Sequence, residues 1–547
     1  MKFNKTLLTI TLCASSAIMA YQQDKDYSFT VLHTNDIHGH FWNNEKGEFG
    51  LAAQKTLIDQ IKKEVEAKGG STIILNAGDI NTGVPESDLQ NARPDYEGLN
   101  AIGYEAMVLG NHEFDFPLPI LTMQEKWAKF PLISANVFNK ATKKELVDPY
   151  IMLDKQGLKI AVMGLTTEDT AKVGNPDVTE NVLFKDPIKT ARTMLANINE
   201  KEKPDVRIAL THMGWYLDGK HGTNAPGDVT MARSLDKGAF DLIVGGHTHD
   251  TVCFDEQGKF KTKYIPGESC KPDFQNGTWI VQAGEWGKYV GRADFKFKNG
   301  KTTLLNYQLI PINLKKTITT ADGKKEYQLY QNEIKPDPAL YEQLEKYQDD
   351  GDKLLNIYVG EVKGLLDGDR NHVRFHQTNL GRLIAQSQKE RVKADIGIVN
   401  SGGVRASIEE GKITYRTILT VQPFGNMIAT IDLKGQEFID FLTSVALKEV
   451  DTGAYPQFAG ISMVVDRTAK QISDLKINGQ AFDPNTSYKI SIPDYLTAGG
   501  DGYPVMKKHP TYVNTGFIDA EMLKKYFEEN KVIEASMFDP KQDIIFK

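Results

Sequence analysis

The sequence predicts two α/β domains in tandem, and three observations carry that reading. Apolar runs of strand length alternate with helical patterns from residue 27 to about 315. A charged stretch opened by two prolines, 335–355, breaks that rhythm. A separate mixture of strands and helices then fills 356–547, and a chain of 547 residues is too long for one core. The expected division is a leader at 1–20, a first domain at 27–334, a linker helix at 335–355 and a second domain at 356–547. The sequence contains no repeat at solenoid spacing and no low-complexity tract.

The leader comes first. Lys2 and Lys5 precede an apolar stretch from Leu7 to Ala20 that is too short to cross a bilayer and suits a cleaved export signal, with cleavage expected near Ala20. Leu12 before Cys13 is a poor match to a lipoprotein box, no later run is apolar enough to span a membrane, and 539–547 carries no anchor tail. A soluble exported protein is expected. Its remaining cysteines, Cys253 and Cys270, are expected to pair in an oxidising compartment, two free thiols being the alternative. Such a bridge would staple the loop after His249.

Within the first domain, helices are expected at Leu51–Lys68 and Pro187–Lys201, and Tyr289–Pro311 alternates like antiparallel strands. Five apolar runs end in groups that ligate metals. Val31-Leu32 leads to Asp36 and His38, and Ile73-Ile74-Leu75 leads to Gly78-Asp79. Met107-Val108-Leu109 leads to Gly110-Asn111-His112-Glu113. Ile208-Ala209-Leu210 leads to Thr211-His212, and Leu242-Ile243-Val244 to Gly245-Gly246-His247-Thr248-His249. Carboxylates, amides and imidazoles at strand ends can converge on one point and suit Zn²⁺, Mn²⁺ or Co²⁺. Asp36, His38, Asp79, Asn111, His212, His247 and His249 are more donors than one tetrahedral ion needs. Two ions sharing a carboxylate would use them all, with Asp79 as the natural bridge.

Lys335-Pro336-Asp337-Pro338 opens the expected linker helix, which reads as polar. Beyond it a helix is expected at Asn379–Lys393, with strands at Ile396–Val399 and Met427–Leu433. Three loops there carry chemistry. Asn400-Ser401-Gly402-Gly403-Val404-Arg405 permits close backbone approach and offers a forked donor. Phe424 lies on the turn 422–426, and Tyr495 and Asp501 lie in the glycine-rich loop 494–504. Phe424 and Tyr495 could clamp a nucleobase, worth about 1–3 kcal/mol per stacked base, and Asp501 could accept hydrogen bonds from ribose hydroxyls. The net charge of −7 argues against a nucleic-acid polymer as partner and leaves room for small nucleotides in a local basic pocket.

The ordered motifs Asp-x-His, Gly-Asp, Gly-Asn-His-Glu, Thr-His and Gly-His-x-His resemble those of the calcineurin-like metallophosphoesterases. Gly-Asp-Arg at 368–370, Val-Arg-Phe-His-Gln-Thr-Asn at 373–379, Gln-Pro-Phe-Gly-Asn, Gly-Ala-Tyr-Pro-Gln-Phe at 453–458 and Gly-Gly-Asp-Gly-Tyr-Pro resemble the second domain of the 5′-nucleotidase family. The likeness is strongest to the bacterial periplasmic UDP-sugar hydrolase/5′-nucleotidases. The resemblance implies a four-layer α/β/β/α first domain and a smaller α/β nucleotide-binding second domain. It implies one divalent ion on Asp36, His38, Asp79 and His249 and another on Asp79, Asn111, His212 and His247. It also implies a transition-state donor, His112, oriented by Asp115; the plainer role for Asp115 is to cap a helix starting near Pro117. Arg370, Arg374 and Arg405 would hold phosphate or the group beyond it, with Asn400 and Gly403 in the same substrate loops. Phe424 and Tyr495 would stack the base, and Asp501 would bind ribose.

The implied activity is periplasmic hydrolysis of 5′-nucleotides by in-line attack of an activated water, with cleavage of UDP-sugars or NAD at the pyrophosphate. Nucleotides and nucleotide sugars are the expected partners, and a monomer the expected state. Two positions depart from the pattern. His249 stands where periplasmic relatives often carry Gln, and Tyr495 where Phe is common, its hydroxyl adding a polar contact expected to tune base choice. The alternatives are a 2′,3′-cyclic-nucleotide phosphodiesterase/3′-nucleotidase, or an inactive nucleotide-binding surface protein on the same scaffold.

Overall fold

In a computed structural model of the chain, residues 21–222, 224–320 and 324–547 are described. The expected leader at 1–20 lies outside them. Among the described residues no helix is long and apolar enough to cross a membrane.

Two six-stranded sheets form the middle of the first domain. In chain order the strands are β1 (Tyr27–Thr34), β2 (Ser71–Asn76), β3 (Ala106–Val108), β4 (Leu132–Ile133), β5 (Tyr150–Lys155), β6 (Leu158–Thr166), β7 (Val206–His212), β8 (Leu242–Val244), β9 (Asp273–Gln275), β10 (Thr278–Val281), β11 (Tyr289–Lys298) and β12 (Lys301–Pro311). One sheet runs β12-β11-β1-β2-β3-β4 and the other β9-β10-β8-β7-β6-β5. In the first, β1 to β4 are parallel neighbours, with Val31 opposite Ile73. In the second, β6, β7, β8 and β10 are parallel, with Thr166 opposite His212.

Side chains alternate between faces, so Val31 enters the seam between the sheets with Ile73, Val162, Ile208 and Val244, while its neighbour Leu32 turns outward. Both faces are buried, which is why these strands read as unbroken apolar runs. Outside the first sheet, α1 (Leu51–Ala67) buries Leu57, Ile58, Ile61 and Val65. Outside the second, α2 (Pro187–Lys201) packs Ala191, Leu195 and Ile198 on Met163, Ala209 and Ile243. The order of layers is α/β/β/α. The five ligand-bearing loops all leave the carboxyl ends of parallel strands, β1, β2 and β3 in one sheet and β7 and β8 in the other. Cys253 and Cys270, just beyond β8, form a disulfide.

The helix α3 (Pro338–Leu355) is less polar than its sequence suggests. The Asp337 side chain accepts from Leu340 N (2.9 Å) at its start. Leu340 and Leu344 are buried in the same cluster as the apolar side of α1. The helix is therefore docked on the first domain. From the second domain, Arg416 reaches back to Glu86 and to Asp352 of α3.

The second domain is built on a mixed five-stranded sheet. Its strands are β13 (Ile396–Asn400), β14 (Met427–Lys434), β15 (Pro456–Ala459), β16 (Ser487–Pro493) and β17 (Val513–Ile518), in the order β15-β13-β16-β14-β17. The helix α4 (Asn379–Arg391), capped by Thr378 onto Gly381 N (3.1 Å), buries Leu380, Leu383 and Ile384. On the other core, α5 (Gly435–Ala446) buries Phe438, Phe441, Leu442 and Val445. β13 and β16 are parallel neighbours, with Ile396 opposite Ile490. The loops that follow them, after Asn400 and after Pro493, consequently emerge side by side.

Candidate active site

The seven ligand-type residues of the first domain converge on one buried cluster. Ligand atoms of Asp36, His38 and His249 lie within 4.8 Å of one another, as do those of Asp79, His212 and His247. His249 Nε2 is 3.2 Å from Asp36 Oδ1, and His212 Nε2 is 3.0 Å from Asp79 Oδ2. His38 Nε2 lies between the carboxylates, 3.9 Å from Asp36 Oδ1 and 3.8 Å from Asp79 Oδ2. Asn111 Oδ1 sits 2.8 Å from His247 Nδ1 and 3.2 Å from His212 Nε2. Asp79 touches both halves.

The backbone is strained to achieve this. Asp36, His38, Asp79, His247 and His249 have φ of 51°, 51°, 56°, 85° and 64°. Non-glycine residues seldom adopt left-handed φ, and such outliers gather at functional sites. Gly110 has no side chain for a related reason: a Cβ there would come 2.1 Å from Asp79 Oδ1.

A set of partners around the cluster aims the rings. Nδ1–H of His38 donates to Thr82 O (2.7 Å), that of His212 to Ala77 O (2.7 Å) and that of His249 to Glu285 Oε2 (2.6 Å). Each contact fixes the tautomer and turns Nε2 inward. Asn35 Nδ2 donates to Asp36 Oδ2 (2.7 Å). Glu113 accepts from the backbone N–H of Asp79 (3.1 Å), Ile80 (2.9 Å) and Gly110 (2.6 Å), tying the loop after β2 to the loop after β3. Sequence reasoning saw Glu113 only as a letter of its motif and missed Asn35, Thr82 and Glu285. No local pattern marks Glu285, which lies 36 residues from the histidine it holds.

The chemistry of the donors fits divalent cations. Burial opposes ionisation of Asp79, yet the His212, His112 and His38 imidazoles together outweigh it and hold the carboxyl well below its usual range. Burial likewise opposes protonation of His212 and His249, but Asp79 and Asp36 push them up to about 10 and about 9. Burial pulls His38 down to about 3 and His247 to about 4. Ionised carboxylates, an amide oxygen and imidazole nitrogens form a buried set of N and O donors, and a divalent cation there would displace the protons that the carboxylates hold on His212 and His249.

His112 stands beside this cluster. Its Nδ1 is 2.6 Å from Asp115 Oδ2, and Thr82 Oγ1 donates to the same oxygen (2.7 Å). Asp115 therefore faces His112; the helix Leu118–Trp127 starts from Pro117 without a side-chain cap. Burial disfavours the His112 cation, but Asp115 and Asp79 more than offset it, and its pKa is raised.

The second domain reaches the same spot. The Phe424 ring lies 6.0 Å from that of His112 at 16°, and the Arg405 guanidinium is 5.5 Å from the Phe424 ring centre. Burial, Arg370 and Arg405 pull Arg374 down to about 9; burial and Arg370 also lower Arg405. This crowding of cations favours an anion such as phosphate. Asn400 Nδ2 donates to Asp501 Oδ2 (2.6 Å), and a Cβ on Gly403 would sit 3.1 Å from Asn400 Oδ1. Among the described residues Phe424 pairs with His112 rather than with Tyr495. The Tyr495 hydroxyl, expected to add a polar contact, donates to Asp501 Oδ1 (3.0 Å).

This fold and donor set define a metal-dependent phosphoesterase. Residues 29–251 match the family model for calcineurin-like phosphoesterase, and 358–508 that for the 5′-nucleotidase C-terminal domain. Protein UshA of Yersinia enterocolitica is 53% identical over 552 residues, covering 100% of both chains. A 5′-nucleotidase of Vibrio cholerae is 52% identical, covering 98% of this chain and 96% of its own. The crystal structure of the 5′-nucleotidase precursor from Thermus thermophilus superposes with a TM-score of 0.75 at 29% identity, covering 95% and 99% of the two chains. The chain belongs to the 5′-nucleotidase family of calcineurin-like phosphoesterases and is a metal-dependent hydrolase.

Proposed function

We propose that the chain is a periplasmic hydrolase of 5′-nucleotides, releasing nucleoside and phosphate, that also cleaves nucleoside-diphosphate sugars or NAD at the pyrophosphate. The observation that carries this reading is the placement of the His112–Asp115 pair, 2.6 Å apart, between the ligand cluster and Phe424. Asp36, His38, Asp79 and His249 would hold one Zn²⁺, Mn²⁺ or Co²⁺, and Asp79, Asn111, His212 and His247 a second. When bound, such ions supply Lewis-acid activation of water and offset charge on the phosphoryl oxygens.

The protein's own groups do the rest. Arg370, Arg374 and Arg405 bind the phosphate charge and orient phosphorus toward the cluster. With Nδ1 held by Asp115, His112 has Nε2 left to donate a proton to the leaving oxygen. Asp115, accepting from Nδ1–H, stabilises the imidazolium. Phe424, Tyr495 and Asp501 hold the nucleoside, so that catalysis requires the domains to meet across the helix at 335–355 that we take as their linker.

Phosphate release from AMP, measured with added Mn²⁺ or Zn²⁺ and then with a chelator, tests the reading. Activity on AMP that the chelator abolishes is expected; release indifferent to chelation would overturn it. Faster turnover of 3′-AMP or 2′,3′-cyclic AMP than of AMP would point to the cyclic-nucleotide activity instead. His112→Ala should lower kcat by about 10²-fold with metal content near normal.

A further inference from the structure

We infer that the Tyr495 hydroxyl makes this protein selective for the sugar of its substrate: it locks the Asp501 carboxylate in an orientation that accepts both hydroxyls of a ribose cis-diol. The inference rests on the reading that these loops bind the nucleoside, and it goes beyond that reading by assigning what the hydroxyl does there.

Asp501 sits in a single turn between Gly500 and Gly502, with φ 52°, a left-handed conformation that non-glycine residues adopt seldom and Asp more readily than most. Two elements hold its carboxylate. Asn400, at the end of β13, donates to Oδ2 (2.6 Å), and Tyr495, just after β16, donates to Oδ1 (3.0 Å). The Tyr495 ring is itself packed over Gly500, where a Cβ would come 2.5 Å from its Cζ. The carboxylate thus has one fixed donor on each oxygen and cannot turn about its last torsion, which is otherwise broad for Asp.

An ionised carboxylate has about four acceptor sites. Two are filled here, one on each oxygen, and one on each oxygen remains. On this proposal those two lie side by side and face the nucleoside, the arrangement that a cis-diol's two O–H donors match. A phenol has a single proton to give. That of Tyr495 goes to Asp501, so the hydroxyl has none to offer a base, and the ring presents its apolar face to any base equally. Discrimination between sugars follows. A site built to bond a substrate hydroxyl discriminates against the analogue lacking it far more than an apolar pocket does.

Steady-state kinetics on AMP and 2′-deoxy-AMP, and calorimetric binding of adenosine and 2′-deoxyadenosine, test this with the wild type, Tyr495→Phe and Asp501→Asn. The wild type should favour the ribonucleotide by roughly 10-fold in kcat/KM, the size expected of one hydrogen bond to a charged group. Tyr495→Phe should shrink that ratio to about 2-fold, through KM, while the ranking of AMP, GMP, UMP and CMP stays as it was. The calorimetric ratio should fall in parallel. A wild type that does not prefer the ribonucleotide, or a Tyr495→Phe protein that keeps the wild-type sugar ratio or reorders the bases, overturns the inference. Asp501→Asn separates the two levels of argument. If it raises KM for AMP while Tyr495→Phe keeps the sugar ratio, only the role of the hydroxyl is lost. If it changes neither KM nor adenosine binding, the nucleoside reading of these loops is lost with it.

Discussion

The two sides of the cleft solve different problems with different materials. On the first-domain side, the ligand-type residues hang from the ends of buried parallel strands, five of them have left-handed φ, and three imidazoles have Nδ1 held from behind. On the second-domain side, Arg370 is exposed, Phe424 is half-buried on a turn, and the carboxylate of Asp501 is held by two side chains. The difference follows from what each side has to bind. Metal ions fix donor directions within narrow limits, so their residues must be preorganised and the strain stored in place. A nucleotide brings its own flexible phosphate and a base of variable shape, so most of its residues need charge and flat surface more than fixed angles.

The largest effect that would sharpen this contrast lies at Glu285. It touches no substrate group in the proposed reading and lies behind His249, with Lys288 Nζ 2.7 Å from its other oxygen. Glu285→Ala should free the His249 ring and lower metal affinity by about 10- to 100-fold, read by competition with a metal-sensitive dye. KM for AMP at saturating metal should change little. Unchanged metal affinity would mean that the ligand side owes its order to the strands alone.

How far each side could be read from sequence follows the same division. The metal-side residues were legible because each falls within a few positions of a strand end, and strand ends announce themselves as apolar runs meeting Gly, Asp, Asn or His. The residues that aim them were not. Thr82 acts on His38 through a carbonyl that every residue carries, and Glu285 meets His249 only after the chain has gone through β9 and β10. Asp115 was ambiguous because three residues from a histidine and two before Pro117 suit a dyad and a cap equally. The polarity of α3 concealed its docking, since Leu340 and Leu344 enter the cluster from among charged neighbours, with the amphipathic Tyr341 and Tyr347 packed beside them. The role of Tyr495 was not legible because the sequence shows a hydroxyl without showing what it bonds.

On the substrate side the expected effect is smaller and of another kind. Phe424→Ala removes the ring beside His112 and should raise KM for AMP about 10-fold, the scale of one lost base stack, with bound metal unchanged. A loss of metal or a drop in kcat alone would show that Phe424 shields the ligand cluster and does not hold substrate, and the contrast between the two sides would fail at that residue.

The smallest effect is expected where the two sides are joined. Arg416 of the second domain contacts Glu86, which is only 4% exposed, and Asp352 of α3 (2.5 Å). Gln348 Nε2 adds a bond to the same Glu86 oxygen (2.8 Å). Because α3 is docked on the first domain, this contact links the domains at a point outside the ligand cluster. Partly exposed ion pairs are worth about 0.2–1 kcal/mol, so Arg416→Ala should shift the balance between joined and separated domains by about 1.4- to 5-fold. kcat/KM would fall by no more than that factor, with metal content unchanged, and the radius of gyration in solution scattering would rise slightly. A fall of 10-fold or more would mean that the approach of the domains depends on this one contact. No change in either measurement would mean that the apolar and cationic contacts around Phe424 and Arg405 hold the domains together unaided.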